Sequence, residues 1–85
     1  MSYIVDNFPT WDAAEQFADD AADELQLSVI VFADSEAAHR HDPFINVQRK
    51  YIAHVHRPWP MVGEKVHEQI LIRLAAKHGG EYVGT

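Results

Sequence analysis

At 85 residues the chain has room for one domain, since an independent core needs about 50 residues or more, and folding hides only about 60% of so short a chain's surface, which argues against a deep catalytic cleft. The absence of cysteine removes disulfides, thiolate nucleophiles, Fe–S clusters and cysteine-based zinc motifs, and fits a reducing compartment. Thirteen acidic against seven basic residues give a formal charge of -6, and the longest basic clusters, Arg49-Lys50 and His39-Arg40-His41, are too short for phosphate-backbone binding, so nucleic acid is disfavoured as a partner.

Met1 to Asp6 lacks a basic region and a long apolar run, and nowhere do about 18 apolar residues follow one another, so the expectation is a soluble, cytoplasmic protein. Tyr3 to Phe8, with β-branched and aromatic residues, reads as a strand that stops at Pro9. Thr10 then caps a helix over residues 11–25, in which Ala14, Phe17, Ala18, Ala21 and Leu25 recur along one face. Asp12 and Glu15 suit the positive end of that helix's dipole. Asp23 and Glu24 sit at the wrong end, which points to another use for them.

Leu27 to Ala33 is a nearly continuous apolar run, which predicts a strand sheltered on both faces or lying next to the sheet centre. Residues 34–46 form a connection, with Asp42-Pro43 and a helical turn over Ser35 to Ala38. Val47 to Arg57 alternates, with Val47, Arg49, Tyr51, Ala53 and Val55 on one side and Gln48, Lys50, Ile52, His54 and His56 on the other, as in a half-covered strand. Pro58-Trp59-Pro60 ends it, with Trp59 as a plug over the start of the next helix. In that helix Val62, Val66, Ile70 and Leu74 repeat every fourth residue, and Gly79-Gly80 stops it. Glu81-Tyr82-Val83 resumes an extended pattern. The order strand–helix–strand–strand–helix–strand predicts one α+β domain over residues 1–85, a ferredoxin-like sandwich (βαββαβ) of an antiparallel sheet with two helices on one face.

Two stretches resemble a known family. Asn7-Phe8-Pro9-Thr10-Trp11-Asp12-Ala13-Ala14-Glu15-Gln16-Phe17-Ala18 is similar to the lead-in of the first helix of the ribonuclease E inhibitors, the regulator of ribonuclease activity B (RraB) family. Leu74-Ala75-Ala76-Lys77-His78-Gly79-Gly80-Glu81-Tyr82 resembles that family's closing pattern, a helix ending in a Gly pair and running into an acidic-aromatic strand. The resemblance implies a ferredoxin-like α+β fold and a non-catalytic regulator that binds ribonuclease E and modulates RNA turnover. The family typically continues after the tyrosine with Asp-Gly-Trp, where this chain has Val83-Gly84-Thr85, and its better-known members carry an acidic tail that is not found here. If that tail contributes to binding, the partner here is a different one.

Residues 1–36 hold nine of the acids and no Lys or Arg. That asymmetry orients a protein toward a basic partner surface, and Asp12, Glu15, Asp19, Asp20, Asp23 and Glu24, helped by Asp34 and Glu36, are the candidate docking residues for an Arg-rich segment. A solvated face that only keeps the domain soluble is the plainer reading.

A rival reading is a His-based metal site. His39/His41 and His54/His56 both have a His-x-His spacing that puts two imidazoles on one face of a strand, with Asp42 nearby, though spacing fixes no third ligand. A small inhibitor of an unrelated protein target is the other alternative. The sequence offers no nucleophile elbow, phosphate loop or carboxylate pair, and His41 beside Asp42 does not make a site, so no enzyme and no cofactor is expected. Arg49-Lys50-Tyr51 has an aromatic like an RNA-stacking platform but lacks that signature's glycine, so Tyr51 is expected to pack against a helix. Ile72 falls off the apolar stripe and, with Ile30, Ile52 or Phe32, could support self-association, making the chain a monomer or weak homodimer.

Overall fold

Thr10 decides where the first helix starts: its backbone is extended, φ -142°, and its Oγ1 accepts a hydrogen bond from the Ala13 N–H at 3.1 Å. The computed structural model describes residues 2–33, 51–57 and 63–84. In chain order these form β1 (Ser2–Phe8), α1 (Trp11–Leu25), β2 (Val29–Ala33), β3 (Tyr51–His56), α2 (Glu64–His78) and β4 (Glu81–Gly84). The described residues are α+β, with a four-stranded antiparallel sheet in the order β2-β3-β1-β4 and two helices packed against each other and the sheet. Residues 34–50 and 58–62 lie outside the described residues, and with them the expected connection, its helical turn, Val47 to Lys50, the Trp59 plug, Pro60 and Val62.

Alternation sorts the strands. Tyr3 and Val5 of β1 and Ala53 and Val55 of β3 are fully buried and meet Phe17 and Ala21 of α1 and Leu71 and Leu74 of α2. At about 25 cal/mol per Å² of apolar surface, each large side chain in that layer contributes about 1.5–3 kcal/mol before entropy is counted. The opposite side of the sheet carries Ser2, Ile30, Phe32, His54 and His56, as the alternation of β3 predicts. Asn7, with φ 60°, sits where the β1–β3 register shifts between Val5 and Phe8, and this bulge returns Phe8 to the core, where it packs on Phe17 at 5.0 Å.

Two expectations are corrected. β2 is not sheltered on both faces, and among the described strands it lies at the edge: its apolar run covers α1 with Val29 and Val31 while Ile30, 67% exposed, and Phe32 face the other way. The every-fourth stripe of α2 also fails at Val66, which is 61% exposed. A helix turns about 100° per residue, so a strict repeat of four drifts about 40° per step and carries Val66 out of the layer that Leu71, Leu74 and Ala75 occupy. The described helix begins at Glu64 behind Gly63, whose φ of 79° is left-handed. Its end follows the expected pattern: Gly79 has φ 80°, and the Gly80 N–H bonds to the Ala75 C=O at 2.9 Å in a Schellman-type closure.

Candidate functional site

The acids of α1 divide into two sets. Asp20 and Glu24 face α2: Asp20 Oδ2 accepts from His78 Nε2 at 2.7 Å and from Lys77 Nζ at 3.3 Å, and Glu24 Oε1 accepts from Arg73. Both belong to the expected docking set, and both also link the two helices, which gives Glu24 a use at the wrong end of the dipole. The His78 hydrogen bond, then Lys77, holds the Asp20 carboxyl below the usual carboxylate range.

Asp12, Glu15, Asp19 and Asp23 are exposed. Glu15 accepts a hydrogen bond from Trp11 Nε1 at 2.6 Å, one helical turn away, which holds the carboxylate beside an indole that is itself 41% exposed. Trp11 packs edge-on against Tyr51 of β3 at 6.0 Å, so Tyr51 does lie against a helix. Asp34 and Glu36 are outside the described residues.

β2 has a groove on each side. On the helix side Trp11, Glu15, Ala18 and Asp19 line a hollow with Val29 and Val31. On the open side Ser2, Ser28, Ile30, Phe32, His54 and His56 line a second one of about 440 Å³. His54 and His56 share that face as their spacing predicts, and His54 stands edge-on to Phe32 with ring centroids 4.8 Å apart. No three His, Asp or Glu side chains converge on a metal-sized space among the described residues; His39, His41 and Asp42 lie outside them. Ile72 is exposed on the helical layer, across the sheet from Ile30 and Phe32, so the two do not form one patch.

On the far side of the molecule, the Tyr82 hydroxyl donates to Glu68 Oε1 at 3.0 Å; burial first, then this carboxylate, pushes the phenol up to about 12. Burial likewise raises Tyr3, whose hydroxyl hydrogen-bonds His67 Nδ1 at 3.1 Å. Both links are structural ties between sheet and α2.

Sequence reasoning missed Trp11 as part of the acidic flank and missed the edge position of β2. The i, i+4 relation of Trp11 to Glu15 was the available signal for the first; an apolar run carries none for the second. No family model, no curated protein and no solved structure matches the chain. Among the described residues no helix is long and apolar enough to cross a membrane.

Proposed function

We propose that this chain is a non-catalytic, cytoplasmic regulatory protein that binds a basic surface of a partner protein, with a ribonuclease E-type endoribonuclease as the first partner to test, and so modulates RNA turnover. The observation that carries the reading is the exposed flank of Asp12, Glu15, Asp19 and Asp23 on α1, a helix whose chain segment, residues 1–36, contains no Lys or Arg. Asp20 and Glu24 pair with Arg73, Lys77 and His78 of α2, while Asp12, Glu15, Asp19 and Asp23 face outward. The motif resemblance at residues 7–18 and 74–82 supports the choice of partner. The strand order β2-β3-β1-β4 with its βαββαβ succession supports a ferredoxin-like sandwich as the scaffold. Regulation then comes from occupying a surface on the nuclease and involves no bond-making.

The test is retention of the purified, nuclease-treated endoribonuclease of the same source on immobilised protein at low and moderate salt. The reading expects retention that weakens with salt and drops when Asp12, Asp19 and Asp23 are changed to Lys. No retention at low salt removes this nuclease as the partner. Retention indifferent to salt and to the three reversals removes the acidic flank.

A further inference from the structure

We infer that the outer edge of β2, beside which no further described strand lies, takes up an extended segment of the partner protein as an added strand, one whose side chains alternate between Lys or Arg and apolar residues. This rests on the reading of the chain as a binder of a basic protein, and it specifies where and how that protein is held.

The backbone sets the geometry. The His56 N–H donates to the Ser28 C=O at 2.7 Å, which makes Ser28 and His56 a hydrogen-bonded pair of the antiparallel ladder. Such pairs recur every second residue, so Ile30 opposite His54 and Phe32 opposite Ile52 turn their N–H and C=O groups toward β3. Val29, Val31 and Ala33 turn theirs outward, where the sheet order has no further described strand. Proteins usually blunt such an edge with Lys, Pro or a bulge. Leu27 to Ala33 contains no charge and no proline, and β2 pairs with β3 without a register shift.

The flanks select the occupant. In an added strand, residues in register with Val29 and Val31 fall on the helix side, against Glu15, Asp19 and the exposed ring of Trp11. Those carboxylates and that π-face favour Lys or Arg. Residues in register with Ile30 and Phe32 fall on the other side, where apolar side chains cover the exposed Ile30. A second copy is the poorer match. Pairing two β2 edges about a two-fold axis sets Glu15 and Asp19 of both copies on the same side of the joined sheet, like charge beside like charge.

The probe is a short end-capped peptide alternating Arg and Val, titrated into the full chain and followed by amide shifts, hydrogen exchange and affinity. Expected are shifts and exchange protection at Val29, Val31 and Ala33. Val31→Pro removes an outward N–H together with the Val31 side chain that packs on α1, and should weaken binding about tenfold, as should Glu15→Lys with Asp19→Lys. Asp12→Lys with Asp23→Lys, equal in charge change but off the groove, should cost about twofold. A peptide N-methylated at the amides that would meet β2 leaves the protein untouched and should bind about tenfold more weakly.

Binding that leaves those three amides unmoved, or that N-methylation does not weaken, overturns strand addition. Protection of the same amides without peptide, rising with protein concentration, assigns the edge to a second copy and also overturns it. Peptide addition at β2 together with failure to retain the endoribonuclease upholds the edge and removes only the partner named above.

Discussion

The ring of Phe8 lies so close over Gly80 that a Cβ placed on the glycine meets Phe8 Cε1 at 2.5 Å and Cζ at 2.7 Å. Phe8 has nowhere to retreat, because it is 1% exposed and packed on Phe17. Gly80→Ala is therefore expected to cost about 2–3 kcal/mol by overpacking. Gly79→Ala meets only the edge of Pro9, at 3.4 Å, and pays chiefly for its φ of 80°, about 1 kcal/mol. Urea denaturation of the two variants should show the larger loss at Gly80; the reverse order would mean that conformation, not the ring, requires the glycine pair.

Acid should loosen the contact between the helices. The folded-state value of Asp20 lies below its ordinary 3.8, through His78 first and Lys77 second, so the unfolded chain takes up the proton more readily. The stabilisation is complete above the ordinary value and disappears as pH falls through the folded one. Wild type and Asp20→Asn compared by thermal melts should differ above pH 4 and converge below it. A difference that persists unchanged to the lowest accessible pH would show that the ion pair is not what Asp20 contributes.

Alkali acts at the other edge of the sheet. Tyr82 is raised from 10.0 to about 12 by burial and by Glu68, so folding favours the neutral phenol. Its contribution holds below pH 10 and is lost as pH climbs toward 12. Tyr82→Phe, which cannot ionise, should flatten the decline of stability across that interval, and an unaltered decline would assign it to other groups.

The end of α1 is less than optimal. Gln26 adopts φ 57°, where a side chain costs about 1 kcal/mol, and recovers part of it by donating Nε2 to the Asp23 C=O at 2.5 Å. Gln26→Gly should therefore stabilise by about 0.5 kcal/mol, raising the melting temperature by about 3 °C. Gln26→Ala, which keeps the strain and loses the bond, should lower it. A loss with Gly as large as with Ala would mean that the side-chain bond outweighs the backbone strain.

What could be read without coordinates was local. Thr10 before an acidic, amphipathic run announces α1, and Gly79-Gly80 after Lys77-His78 announces the end of α2, because capping acts within a few residues. Alternation on β3 put His54 and His56 on one face. What escaped depends on who sits beside whom. Leu27 to Ala33 has the composition of a central strand yet lies at the edge, and an apolar run records that a strand is covered but not how many neighbours it has. Val66 matched a repeat of four and was carried round the helix by its 3.6-residue turn. Of the acids on α1, Asp20 and Glu24 were spent on Lys77, His78 and Arg73, some fifty residues away in sequence, a pairing that charge counting along the chain does not contain.

The position of β1 between β3 and β4 also dictates the order in which this molecule can come together. The first strand made is the one that needs the most distant neighbours: Val5 is opposite Ala53 on one side and Tyr82 on the other. Emerging from the ribosome, β1 and α1 have nothing to close the sheet with until those residues follow, so the rate of folding is governed by closing long loops and not by winding helices. Until then the acidic helix is held in solution by its own charge, a use of those carboxylates that precedes any partner.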